Sequence, residues 1–396
     1  MGLASKAKLM GTAGVGQPGQ PSAPPLASSG APGTPPLTPP QPSGMQASFP
    51  GQQNPPGQFG AQPQQGQFGA PPAGYPALNH QQSFGAQPAY PRPSHQSSFG
   101  GQQSGIPQSL LMPGGGGPAQ QAALQNKLQS IVATNQLQYF YPPPRLQAVV
   151  TQLNTINFQQ LATQWRMPME MAYDLATLAL YDIVIFADDS GSMVFEENGE
   201  RIDDLKLILG KVSEVATLFD DDGILVRFMN SPVQGNGIRD SIAAGQLIQQ
   251  VQFTGLTPLG TKLHEKVLQP FLYTGVQQRD LQKPILVIAI TDGEPVGEPK
   301  TTTAQVIKNA KQMVANSPYG PGAVAFEFAQ VGKDQKAQAF LGSLDNDPEI
   351  GKIIDATSYY ELEAEEYARK GVTLTPELWL VKLMVGAVDP SYDEQD

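Results

Sequence analysis

Three oxygen-bearing side chains alternate in the run Asp188-Asp189-Ser190-Gly191-Ser192-Met193. The one carboxylate and two hydroxyls of Asp188, Ser190 and Ser192 suit a small hard cation such as Mg²⁺. Such an ion takes oxygen ligands at about 2.0–2.1 Å in an octahedron and keeps part of its water. The element that must hold these residues comes directly before them. Tyr181-Asp182-Ile183-Val184-Ile185-Phe186-Ala187 is an almost unbroken apolar run, the pattern of a parallel strand buried on both faces. The ligand loop would then open from the carboxyl end of a core strand.

From residue 182 onward, strand and helix patterns alternate. Largely apolar runs at 183–187, 224–229, 284–290, 324–331 and 353–356 predict strands, and residues 235–237 (Gly-Asn-Gly) predict a turn. Helical periodicity covers 202–219, 241–251, 261–271, 302–315 and 335–344. This order predicts an α/β fold with a doubly wound, mostly parallel sheet. In such sheets ligands bind outside the carboxyl ends of strands, where strand order reverses.

The rest of the chain divides by composition. Residues 1–118 are rich in Gln, Gly, Pro, Ser and Ala, with Phe-Gly units recurring at Phe59, Phe68, Phe84 and Phe99. This predicts a disordered tail with a tendency to weak self-association. Residues 119–180 predict a small helical unit in which Trp165 is core. Residues 181–388 form the α/β domain and 389–396 an acidic tail.

Charge and cysteine usage exclude several classes. Residues 1–119 hold no Asp or Glu and only Lys6, Lys8 and Arg92 as fixed charges. Residues 120–396 therefore carry 21 basic against 35 acidic side chains, a net charge of −14. That is no nucleic-acid footprint. The absence of cysteine excludes disulfides, thiolate metal sites and a Cys nucleophile. The amino-terminal residues show no signal-peptide pattern, and no apolar run is long enough to span a bilayer. A cytoplasmic protein is expected.

The segment from Asp182 to Tyr360 resembles the von Willebrand factor A family, in which Asp-x-Ser-x-Ser forms a metal-ion-dependent adhesion site. The resemblance extends to Thr254-Gly255-Leu256-Thr257-Pro258-Leu259-Gly260-Thr261, similar to the family's Gly-Gly-Thr-Pro-Leu-Gly loop with Leu256 in place of the second Gly. It extends also to Thr291-Asp292-Gly293-Glu294 after a predicted strand. It implies that Ser190, Ser192 and Thr257 ligate the ion (Mg²⁺, or else Mn²⁺ or Ca²⁺) through hydroxyls. Asp188 and Asp292 would supply charge, often through water, and an open coordination position would accept an Asp or Glu of a protein partner. The segments Phe328-Ala329-Gln330-Val331-Gly332, Phe340-Leu341 and Leu344-Asp345-Asn346-Asp347 look most like the family's intracellular, copine-like and tellurium-resistance-like branch.

Other polar residues carry less. Asp189 is expected to point away from the ligands, Glu294 and Glu298 to rim the site or stay exposed, and Asp345 to end a helix. Asp188 and Asp292 are both expected on surface loops. The three histidines are His80, His95 and His264, and only His264 falls within the α/β domain, on a predicted helix. With no P-loop and no nucleophile–base pattern, a binding adaptor is favoured over an enzyme. The alternative is a scaffold that self-associates through the tail, with a purely structural metal.

Overall fold

The computed structural model describes residues 3–12, 110–112, 115–220 and 222–392. The Phe-Gly repeats, the rest of residues 13–109 and the acidic residues 393–396 lie outside the described residues. The tail expectation does not hold at the very start of the chain. Helix α1 (Leu3–Thr12) packs Leu3, Ala4 and Ala7 into the core. Lys6 Nζ sits 2.8 Å from Asp174 Oδ2, and Tyr392 Oη donates to the same oxygen at 2.8 Å. Low-complexity composition hid this helix because four buried side chains suffice to anchor it.

Helices α2 (Gly117–Thr134), α3 (Pro143–Leu153), α4 (Phe158–Gln164) and α5 (Met169–Leu175) follow, then a 3₁₀ turn at Ala176–Leu180. Helices α2 and α3 start next to prolines, and α4 is capped by Asn157, whose Oδ1 accepts from Gln160 N. Their apolar faces, with Trp165 buried, join the same continuous core as the sheet.

The sheet holds β1 (Asp182–Ala187), β2 (Ile224–Phe228), β3 (Gln234–Ile238), β4 (Ile285–Thr291), β5 (Val324–Gln330) and β6 (Ile354–Thr357). Its order is β3-β2-β1-β4-β5-β6. All pairs are parallel except β2–β3. The α/β, mostly parallel architecture is thus as the sequence predicts. Strand β3 corrects the expected turn at 235–237. Gly235 runs so close to Val226 and Leu247 that a Cβ would lie 2.6 Å from the Leu247 side chain. An edge strand built on glycines reads as a turn in sequence.

The chain moves from β1 to β2 in one direction, then returns to place β4 on the other side of β1. Right-handed crossovers therefore put α7 (Glu200–Phe219) and α11 (Thr302–Ala315) on opposite faces. Short α6 (Ser192–Phe195) leads from β1 towards α7, and α8 (Ser241–Ile248) packs beside α7. Helix α9 (Leu259–Leu263) continues through a wide π-helical stretch, His264–Tyr273, into α10 (Thr274–Gln278). Pro270 lies inside that stretch, where its missing N–H cannot serve an α-helical ladder. Helices α12 (Gln335–Asp345), α13 (Tyr360–Arg369) and α14 (Pro376–Val385) complete the fold. Among the described residues no helix is long and apolar enough to cross a membrane.

One buried pair gives the fold a pH signature. Glu327 on β5 stands in register with Asp355 on β6, fully buried, and among the described residues neither Glu327 carboxyl oxygen meets a donor in good geometry. Burial first, then the charge of Asp355, hold the Glu327 carboxyl well above the usual range. The native state therefore binds more protons than the unfolded one above the ordinary carboxylate pKa. Stability contributed here is full at acid pH and falls as pH rises towards the native value. Glu327→Gln should remove that loss. Thermal melts should find the variant about 1–3 kcal/mol more stable at pH 8 and near wild type at pH 4; equal melting at pH 8 would count against it.

Candidate functional site

The two acidic loops leave neighbouring strands. Asp188 follows β1 and Asp292 follows β4, at the switch point where strand order reverses. The backbone joins them, Asp188 N donating to Ile290 O at 2.8 Å. Neither lies on the surface: both are 0 % exposed, against the sequence expectation. Each loop is short and tucked against its neighbour, so the turn that starts it stays under the loops above.

Asp188 is the inner anchor. Its Oδ1 accepts from Ser190 N at 2.9 Å and its Oδ2 from Thr291 Oγ1 at 2.7 Å. Burial first, and then the charge of Asp292, push its carboxyl up to about 7. From it a chain of oxygens runs outwards. Ser190 Oγ lies 3.0 Å from Ser192 Oγ, and Ser192 Oγ donates to Asp292 Oδ1 at 3.1 Å. The structure thus brings together Asp188, Ser190, Ser192 and Asp292, 104 residues of chain apart at the extremes.

The Thr257 loop is carried alongside by backbone bonds. Thr254 N donates to Asp189 O at 2.7 Å and Gly191 N to Gly255 O at 3.2 Å. Val296 N donates to Thr257 O at 3.0 Å, tying this loop to the one after β4. Gly255 takes the positive φ of 99° that the turn needs, so Leu256 fits in place of a second glycine without backbone strain. Thr257 is buried. Gly260 lets α9 approach α11 closely; a Cβ there would meet Thr303 N at 2.6 Å.

Sequence reasoning missed Arg201, on the first turn of α7. Its guanidinium is buried, with Nη1 donating to Asp292 Oδ2 at 2.7 Å and Nη2 to Glu197 Oε1 at 2.8 Å. Nη2 also pairs with Glu196 at 2.6 Å. Burial raises the Asp292 carboxyl, and Arg201 works against that rise. Gly332, at φ 73°, leaves room for this side chain; a Cβ there would lie 2.3 Å from Arg201 Nε. The only sequence signal for Arg201 was a basic residue among acids at a helix start, where a cation is out of place.

The flanking acids are structural. Asp189 turns away from the ligands as expected, but it clamps the loop after β2: Oδ1 accepts from Asn230 N at 2.6 Å and Oδ2 from Ser231 N at 2.7 Å. Lys266, on the π-helical stretch, holds the same loop by donating to Phe228 O and Ser231 O at 2.7 Å each. Glu298 caps α9, accepting from Gly260 N at 2.7 Å and Thr261 N at 2.9 Å. Glu294 pairs with Lys300. His264 lies against the ring of Tyr273, centroids 5.3 Å apart.

The donor set fits a hard cation. It comprises three hydroxyls and two carboxylates, one of which gives its outer oxygen to Arg201. Groups of three or more His, Cys, Asp or Glu side chains able to hold a metal do not occur among the described residues. A site here would rest on hydroxyl oxygens and retained water, as Mg²⁺ accepts. Neither the models of known protein families nor the characterised proteins searched contain a match to this chain.

Proposed function

We propose that this chain is a von Willebrand factor A-type binding protein of the cytoplasm. It would hold a divalent cation, Mg²⁺ foremost and Mn²⁺ or Ca²⁺ as substitutes, on Ser190, Ser192 and Thr257. Asp188 and Asp292 would supply charge around it. The observation that carries the reading is the hydrogen-bonded chain from Asp188 through Ser190 and Ser192 to Asp292 at the sheet's switch point, with the buried Thr257 on the adjoining loop. With few formal charges touching it, the ion would stay electrophilic and accept a carboxylate from a protein partner. The chain's own residues do the rest. Asp188 orients the Ser190 loop, Arg201 fixes Asp292, and Asp189 and Lys266 hold the surrounding loop.

Titration calorimetry of the full chain with Mg²⁺ tests the reading. Wild type should bind one ion, and Ser190→Ala should weaken that affinity about tenfold or more. Asp189→Ala, which removes a loop clamp and no ligand, should weaken it less. No heat of binding by wild type, or a larger loss in Asp189→Ala, would remove the assignment. Affinity capture from lysate with Mg²⁺, with EDTA, and with Asp188→Ala then identifies the partner.

A further inference from the structure

Each of the three loops that meet at the candidate cation site holds a large apolar side chain out in solvent. Phe195, three residues past Ser192, is 85 % exposed; Leu256, beside Thr257, is 57 % exposed; Val296, four residues past Asp292, is 48 % exposed. These are not scattered. The Phe195 ring lies over Gly191, whose added Cβ would meet Cε2 at 3.6 Å, and Gly191 N bonds Gly255 O. Leu256 lies on Gly297, where a Cβ would meet its Cδ1 at 2.8 Å, and Val296 N bonds Thr257 O. Single exposed apolar residues need no explanation, but several around one polar site mark an interaction surface.

We propose that this apolar rim selects a protein partner whose segment offers one carboxylate flanked by large apolar side chains. The proposal rests on the cation-binding reading above and adds the chemistry of the ligand around its carboxylate. Charge narrows the occupant. Residues 120–396 carry a net −14, so a polyacidic segment meets repulsion from the whole domain, whereas a lone carboxylate with apolar neighbours does not. Residues 1–119 and 393–396 do not supply it. Residues 1–119 contain no Asp or Glu, and Asp393-Glu394-Gln395-Asp396 is polyacidic, its nearest aromatic Tyr392 being buried. The segment proposed is that of a second protein rather than either of these two stretches. Apolar flanks covering Phe195 and Leu256 would also exclude water from the carboxylate and strengthen its attraction to the ion.

The test is a phage-displayed peptide library, fully random except for a central position split between Glu and Gln. It is selected on the full chain with Mg²⁺ and again with EDTA. Wild type with Mg²⁺ should enrich Glu over Gln, and should enrich Leu, Ile, Met, Phe, Tyr or Trp at flanking positions by about tenfold or more. Both preferences should vanish in EDTA. The double variant Phe195→Ser with Leu256→Ser alters exposed side chains only. It should keep the Mg²⁺-induced rise in melting temperature and the Glu preference, and should lose the apolar preference. Enrichment of Glu with flanks at input frequency would overturn the rim and leave the cation site standing. Apolar flanks that persist in the double variant would overturn the rim as well. Absence of any Glu enrichment, with no Mg²⁺ effect on melting, would remove the cation reading and the rim with it.

Discussion

Arg201→Leu is expected to lower the stability of the folded protein by about 3–5 kcal/mol, the cost of stranding a buried charge when its partner is removed. The guanidinium is 3 % exposed and spans three carboxylates, Asp292, Glu197 and Glu196. Asp292 is 0 % exposed and shares its surroundings with Asp188, so without Arg201 two buried carboxyls face each other with no cation between them. Glu197 would lose its anchor too, and with it the bond it accepts from Lys333 N at 2.9 Å. Arg201→Lys should recover only part of the loss, since an ammonium cannot reach three acceptors in a planar fork. Urea unfolding of the three proteins measures this directly. Added Mg²⁺ should raise the stability of Arg201→Leu more than that of wild type, because the ion supplies charge that the arginine no longer gives. A change under about 1 kcal/mol in Arg201→Leu would mean that desolvation of the guanidinium cancels its pairing.

What the sequence disclosed, and what it hid, follows from how far each feature reaches along the chain. Strand β1 and the Asp188 loop were legible because a local pattern suffices: a β-branched apolar run followed by small oxygen-bearing residues. The β4 strand was legible for the same reason, Asp292 was singled out only by the resemblance of Thr291-Asp292-Gly293-Glu294 to the family's loop, and the alternation of elements was enough to place both loops at a switch point. Arg201 was not legible. Its role depends on Asp292, 91 residues away, and an arginine on a helix start gives no hint of which acid it meets. Asp189 was placed facing away correctly, but its clamp on Asn230 and Ser231 depends on the β1–β2 pairing that brings those amides near. Glu298 reads as an exposed acid until α9 is seen to begin beneath it. Strand β3 and helix α1 were missed for a compositional reason. Glycines and low complexity describe the average segment, whereas a few buried contacts decide the local structure.

Asp188→Asn should separate the charge of the site from its shape. Amide and carboxylate are nearly isosteric, and the amide oxygen can keep the bond from Ser190 N, while the Thr291 hydroxyl can turn to accept from the amide nitrogen. What changes is the charge. Burial and Asp292 raise the Asp188 carboxyl to about 7, so in metal-free protein it must lose its proton against that resistance at pH 8. The unfolded chain has already lost the proton near pH 4, so metal-free stability falls as pH rises from about 4 to about 7. The cost at pH 8 is roughly 4 kcal/mol at most, reduced by whatever the surroundings relax. With EDTA at pH 8, Asp188→Asn should therefore melt above wild type. A cation reverses the order. At about a hundredfold over its dissociation constant, Mg²⁺ adds about 2.7 kcal/mol to a protein that binds it, and Asp188→Asn should gain little of this. Melting curves of both proteins at pH 8, with EDTA and with Mg²⁺, should cross over. If Asp188→Asn melts below wild type in both conditions, the carboxylate is a structural acceptor and the charge of the site is not held for an ion.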